Sequence, residues 1–399
     1  MESLFKKHDR LVAVTSTEII RQWANSINWD ARLIAIRGPK GVGKTTMMLQ
    51  YIKLNYKLLD RQVLYVSCED KYFSNHSLLS LAEQFYLNGG RHLFLDEVHK
   101  YDDWSNEIKE IYDFYPTMRV VLSGSSLLSM TEGDADLARR CINHDIQGLS
   151  FREFLHFYKG IKMPVYPLEQ VLENPAPLIE EMNKHGRPIA LLKEYLKYGY
   201  YPYYLNNETD YHIAIQQVVN KIIDIELPRI CGVDLNNTRK IKSLLTILCA
   251  SVPFQVDITK LATQSGLKRD TIINYLSYLD KAKLIRLLYS DLKNIKRMQK
   301  PDKIYIDNTN LLNAWATAPI QIGTIRETFV ANQLSVNHVV EFRKTNGDFL
   351  VDSKYTFEVG GDDKDFQQIA NVADSFILAD DMETAIGKKL PIWVVGFDY

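Results

Sequence analysis

The sequence predicts an α/β fold, in which a parallel sheet covered by helices is followed by a helical region and a smaller mixed α/β segment. Three observations carry that reading. Apolar runs suited to buried parallel strands recur at Leu33 to Ile36, Val63 to Val66, Leu93 to Leu95 and Val120 to Leu122, with helical patterns between them. The glycine-rich segment GPKGVGKTT at 38 to 46 lies between the first run and a helical pattern. Beyond Ser150 the pattern becomes predominantly helical, and strand-like runs return only at Leu284.

The first element is the strand at 33 to 36 and the loop that leaves it. Gly38 through Gly43, Lys44 and Thr45 fit G-x-x-x-x-G-K-[ST], and the strand–loop–helix order is the context that motif requires. Several backbone amides must approach a triphosphate closely, so Gly38, Gly41 and Gly43 remove side chains that would obstruct them. Val42 and Thr46 complete the loop. The helix starting near Lys44 turns its unpaired N–H groups and positive dipole end toward phosphate, while the Lys44 ammonium reaches the β and γ oxygens. Thr45 supplies a hydroxyl for magnesium. ATP and Mg²⁺ are the expected ligands; the alternative is a glycine-rich turn with a solvated lysine.

The third apolar run ends in Asp96 and Glu97, where a magnesium ligand and a carboxylate that activates water are needed. The alternative for Glu97 is an exposed acid. The fourth run ends in Ser123, Gly124, Ser125 and Ser126, so Ser123 or Ser125 is a candidate sensor of the γ-phosphate, with helix capping by Ser125 or Ser126 as the competing role. Arg139 and Arg140 follow, and an arginine delivered to the γ-phosphate would offset charge developing in transfer. Paired arginines also commonly solvate a face.

Helical patterns then run over Ile189 to Leu196 and Ile213 to Leu227, and GYYPYYLNN at 199 to 207 between them reads as a fixed turn. Three further patterns, Ile241 to Cys249, Ile258 to Gln264 and Thr271 to Lys281, have Gly266 before the third, the order of a helix-turn-helix. Leu284 to Tyr289 and Lys303 to Ile306 would form its wing. Between Lys281 and Lys303 basic residues, Lys293, Lys296 and Arg297 among them, exceed acids by six. With Lys268, Arg269 and Asn274 they make DNA a candidate partner, although winged helices also bind proteins. Strand candidates at Phe349 to Val351, Tyr355 to Val359 and Ile392 to Phe397 close the chain.

With 48 Lys and Arg against 49 Asp and Glu, the whole chain carries no electrostatic signature of a dedicated nucleic-acid or membrane binder. The charged start MESLFKKHDR has no apolar stretch after it, so no signal peptide or membrane span is expected and the reading is cytoplasmic. Cys68, Cys141, Cys231 and Cys249 are scattered and point to neither zinc nor a disulfide framework.

GPKGVGKT, LFLDEVHKYDDW, VVLSGSS, LARR and LSFREFL, together with GYYPYYL and KLIRLLYSDLKNIKRMQKPDKIYIDN, resemble bacterial and archaeal AAA-type P-loop ATPases with a helix-turn-helix and a C-terminal nuclease-like domain. That resemblance implies an AAA-type ATPase domain over 1–150, a helical lid or linker over 151–235, a winged helix over 236–306 and a restriction-endonuclease-like domain over 307–399. It aligns Arg140 with the family's characteristic arginine, Arg139 standing where glycine is usual, and leaves a homo-oligomer open. It also assigns Glu327, Asp348 and Glu358 to the nuclease acids. Gly360 stands where that pattern has its lysine, with Lys354 and Lys364 nearest, so an inactive or altered nuclease fold is expected.

Overall fold

The computed structural model describes residues 1–127, 137–203, 208–250, 254–255, 257–290 and 300–399, and they fall into two compact units, Met1–Gln147 and Gly148–Tyr399. Tyr204 to Asn207 of the aromatic turn, and Lys293, Lys296 and Arg297 of the basic segment, lie outside the described residues.

In the first unit β1 (Leu33–Gly38), β2 (Val63–Ser67), β3 (His92–Asp96), β4 (Arg119–Ser125) and β5 (Ile142–Asp145) form a parallel sheet in the order β2-β3-β4-β1-β5. The four apolar runs become β1 to β4. Their residues are buried in unbroken succession because both sheet faces are covered. β5 is an edge strand of mostly exposed polar residues, held where Arg37 on β1 makes a two-pronged bond to Asp145 at 2.9 and 3.0 Å. Because β4 lies between β1 and β3, the glycine loop, the serine-rich strand end and the acidic pair emerge side by side on one edge.

Helices Leu78–Leu87 and Trp104–Phe114 cover one sheet face, placing Phe85, Ile108 and Ile111 against Leu93, Leu95, Val120 and Leu122. The helix Glu2–Val14 buries Leu4, His8 and Val12, one stripe at four-residue spacing. His8 Nδ1 accepts the Tyr65 amide at 2.9 Å, which requires a neutral ring, and burial pushes His8 down to about 4.

The second unit opens with a capping box, the Ser150 hydroxyl accepting from the Glu153 amide at 3.1 Å and the Glu153 carboxylate from the Ser150 amide at 3.4 Å. The chain's last residues close on the same place. Tyr399 O accepts from Ser150 Oγ at 2.7 Å and Arg152 Nε at 2.9 Å, and Asp398 Oδ1 from the Leu168 amide at 2.8 Å. Helices Pro188–Tyr198 and Glu208–Lys221 flank the aromatic turn, in which Tyr200 and Tyr201 are buried. Its Tyr200 amide donates to Asn310 Oδ1 at 2.8 Å, while Asn310 Nδ2 bonds the carbonyls of Tyr195 and Leu196 at 3.0 Å each. The second helix runs into a π-helical turn, Ile222–Glu226, just before Pro228, which has no amide to donate.

Helices Thr238–Ala250, Ile258–Ser265 and Arg269–Lys281 follow, with Gly266 left-handed at φ 64° between the last two. β6 (Phe254–Gln255), β7 (Ile285–Leu288) and β8 (Lys303–Ile306) make an antiparallel sheet in the order β6-β8-β7. β9 (Val340–Phe342), β10 (Phe349–Val351), β11 (Tyr355–Gly360), β12 (Ser375–Ala379) and β13 (Lys389–Pro391) form a mixed sheet in the order β13-β12-β11-β10-β9. Helix Ile322–Leu334 packs on it, contacting β11. Ile392 to Phe397, expected as a strand, is instead a 3₁₀ segment buried at every residue. A short run that is apolar on all sides has no period to separate strand from buried helix.

Candidate active site

β1 ends at Gly38, where a Cβ would stand 2.4 Å from the Ile146 carbonyl oxygen. Gly41 and Gly43 take φ 88° and 95°, left-handed values that favour glycine. Gly43 is the N-cap of helix Lys44–Asn55 and has no side chain to cover the first amides. Val42 is fully buried, and its carbonyl is anchored by the buried Arg21 at 2.9 Å, which also holds Gln147 O at 2.7 Å. The Lys44 ammonium lies back over the loop, donating to Gly38 O at 2.9 Å and Pro39 O at 3.0 Å. Thr46 is exposed on the first helical turn.

Asp96 gathers the other parts. Thr45 Oγ1 and Tyr65 Oη each donate to its Oδ2 at 2.7 Å, and Ser123 Oγ donates to its Oδ1. Ser123 Oγ also accepts the Glu97 amide at 3.2 Å. Burial and then the Asp96 charge hold the Tyr65 phenol far above its usual range, so it stays a donor. Glu97 is left-handed at φ 56°, ψ 44°, a strained conformation for a non-glycine residue, and its carboxylate lies 3.4 Å from Nε2 of the buried His99. Ser125 Oγ instead accepts the Leu127 amide at 3.4 Å, the local capping role.

Lys44, Thr45, Asp96, Glu97 and Ser123 are thus assembled at the strand ends. Arg140 is engaged elsewhere, with both prongs on Asp113 at 3.1 Å and its guanidinium 5.9 Å from the Tyr112 ring centre; Arg139 is exposed. Tyr65, Arg21 and His99 belong to no phosphate- or metal-binding motif in the sequence. Their roles arise from strand and loop adjacency, which no local motif records.

Among the described residues no group of three or more His, Cys, Asp and Glu side chains is arranged to hold a metal ion alone. The Thr45 hydroxyl facing a carboxylate nevertheless suits Mg²⁺, which takes one or two protein oxygens and completes its shell with phosphate and water.

In the second unit Glu327 Oε2 accepts from Lys303 Nζ and Tyr305 Oη at 2.6 Å each. Asp348 Oδ2 accepts the Val359 amide at 2.8 Å, and burial, then the charges of Glu327 and Glu358, push its carboxyl up to about 7. The buried Glu358 pairs with Lys364 at 2.5 Å. A Cβ on Gly360 would meet Lys364 Cβ and Cγ at 2.8 Å, so the lysine stem runs over that glycine. Lys354 bonds the Tyr355 hydroxyl at 2.7 Å instead.

Residues 30–155 match the family model described as AAA domain. This part of the chain is an AAA-type P-loop ATPase domain. The AAA domain is followed by a match over residues 189–320 to a domain of unknown function, DUF8612. An uncharacterized protein of Methanocaldococcus jannaschii, MJ1637, is 26% identical over 371 residues, covering 86% of this chain and 78% of that protein. AMPPCP-bound DnaA from Aquifex aeolicus is similar at 17% identity and TM-score 0.25, over 63% of this chain and 82% of its own. The S. cerevisiae Hsp104–ADP complex is similar at 15% identity and TM-score 0.27, over 71% of this chain and 41% of its own. C. elegans PCH-2 is similar at 15% identity and TM-score 0.24, over 40% and 44%. The chain therefore spans less than half of the Hsp104 and PCH-2 chains. No helix among the described residues is long and apolar enough to cross a membrane.

Proposed function

We propose that the AAA domain hydrolyses ATP with Mg²⁺ in the cytoplasm and that turnover drives a conformational switch. One observation carries the reading: Thr45, Asp96, Ser123 and Glu97 form a continuous hydrogen-bonded chain beside Lys44. The loop amides from Gly38 to Thr46 hold the phosphates, and Lys44 exchanges its two carbonyl partners for phosphate oxygens. Thr45 and Asp96 would hold magnesium, which would supply positive charge to the phosphates. Ser123 keeps Asp96 and the Glu97 backbone in register. Glu97 accepts a proton from water as the water oxygen bonds to the γ-phosphorus; the bond to the β,γ-bridging oxygen breaks and its electron pair leaves with ADP.

Arg140 reaches the γ-phosphate only once Asp113 releases it, either in its own chain or across a homo-oligomer. Steady-state turnover tests the main reading. Lys44→Ala and Glu97→Gln should each lower kcat by about a hundredfold or more, with nucleotide binding kept in Glu97→Gln. Binding without turnover in the unaltered chain would instead identify a nucleotide-sensing scaffold.

A second reading, ATP-dependent DNA binding or processing, is favoured by two features. The helices from Thr238 to Lys281 with the sheet β6-β8-β7 have the element order of a winged helix. Lys364 reaches Glu358 across Gly360, supplying the lysine that position 360 lacks. Nicking of supercoiled plasmid with Mg²⁺ or Mn²⁺, lost in Glu358→Ala, is its expected signature. A chain that neither nicks DNA nor binds duplex at low salt excludes it.

A further inference from the structure

A single nitrogen of a buried arginine holds two carbonyls beside the phosphate loop. Arg21 is 5% exposed, and its Nη1 donates to Val42 O at 2.9 Å and Gln147 O at 2.7 Å. Both ends of this strut are fixed. Gln50, on helix Lys44–Asn55, donates through Nε2 to Ser16 O and Ile19 O at 2.9 Å each, which ties the segment leading to Arg21 onto the helix that the loop opens into. Ile146 N donates to Arg37 O at 2.8 Å, which fastens the chain just before Gln147 to the end of β1.

The consequence lies across the Val42–Gly43 peptide. A trans peptide is planar and carries its C=O and N–H on opposite sides, so an arginine that holds the Val42 oxygen turns the Gly43 N–H away from itself. Among the described residues nothing accepts that N–H, and it stands just before the Lys44 helix, where the amides of a glycine loop meet phosphate. Glycine takes either sign of φ with similar ease, and Gly43 is left-handed at φ 95°. An unheld Val42–Gly43 peptide could therefore turn over, and it would then offer a carbonyl oxygen to an anion in place of an N–H.

Resting on the nucleotide-binding reading above, we propose that Arg21 is a positioning residue for phosphate: by holding the Val42 carbonyl it keeps the Gly43 amide aimed at the β-phosphate of bound nucleotide. The bond to Gln147 keeps the guanidinium from swinging with the peptide, so the amide is aimed before nucleotide arrives.

The test compares Arg21→Met and Arg21→Lys with the unaltered full chain, by calorimetric titration with MgADP and by ³¹P NMR of bound ADP. Affinity should fall by about tenfold or more in Arg21→Met and by less in Arg21→Lys, whose ammonium can still donate to Val42 O but lacks the planar fork. The β-phosphorus resonance of bound ADP should move in both variants, and the α-phosphorus resonance less. A packing role alone would lower the melting temperature and leave the β-phosphorus resonance in place, which would overturn the proposal. So would ADP affinity in Arg21→Met within about twofold of the unaltered chain. If Arg21→Met does not fold, Arg21→Lys decides by the same two readouts. An unaltered chain that binds no ADP overturns the nucleotide reading and this inference together. ADP binding that is lost in Lys44→Ala yet unmoved by either change at Arg21 overturns this inference alone.

Discussion

Asp96 takes bonds from three hydroxyls, those of Thr45, Tyr65 and Ser123, and this crowding fixes its carboxylate. Thr45 belongs to the glycine loop and Ser123 also takes the Glu97 amide, whereas Tyr65 reaches Asp96 from β2, so its role is to position that carboxylate. Tyr65→Phe should leave the fold intact, raise the Mg²⁺ concentration for half-maximal turnover several-fold and change kcat less. A magnesium titration at saturating ATP checks this, and an unchanged midpoint would reduce Tyr65 to a packing residue. Gly38 is constrained by its neighbour: Gly38→Ala puts a methyl 2.4 Å from the Ile146 carbonyl and should lower stability by about 1–3 kcal/mol, read as earlier thermal unfolding. The loop and the acidic pair are legible in the sequence because their chemistry places the needed residues next to one another in the chain. Tyr65 and His99 are silent there, since one acts from a neighbouring strand and the other by folding back on Glu97.

Among the elements, the capping box at Ser150 binds the entrance of helix Phe151–Lys159 and the chain's last carbonyl with one hydroxyl. Ser150→Ala should therefore cost about 1–2 kcal/mol, the upper part of the roughly 0.5–2 kcal/mol range for a lost cap, because the same hydroxyl also bonds Tyr399, and urea unfolding measures it. β1 to β4 are readable as apolar runs because burial on both faces demands them. β5 is not, because an edge strand needs only partners for its backbone, and its specificity resides in Arg37 and Asp145. β9 and β13, three residues each, are too short to show alternation. Ile392 to Phe397 misleads for the reason given above. The Lys364 substitution for position 360 depends on a four-residue excursion that only the folded turn brings back to Glu358.

At the scale of the molecule, the two units answer pH in opposite directions. Burial pushes His8 down to about 4, and burial, then Arg119, pushes His92 down to about 3. Both rings are neutral in the folded first unit, whereas the unfolded chain takes up protons near 6.5. Their contribution is whole above pH 6.5 and is lost as pH falls toward 4 and 3. His338 in the second unit is raised to about 9, chiefly by its bond to Asp398 and, against burial, by Asp352. Its contribution is whole below pH 6.5 and is lost as pH rises through 9. Calorimetry from pH 4 to 9 should resolve two transitions, the first unit's weakening in acid and the second's in alkali; a common pH optimum would refute the assignment. The clasp between Ser150 and Tyr399 joins residues 249 positions apart, and it sets an order in time. Every strand of the first sheet is present once Asp145 has been made, whereas the bonds to Ser150 and Arg152 wait for Tyr399, far along the second unit. The residues that build the phosphate loop are thus complete long before the second unit can fasten its own first helix.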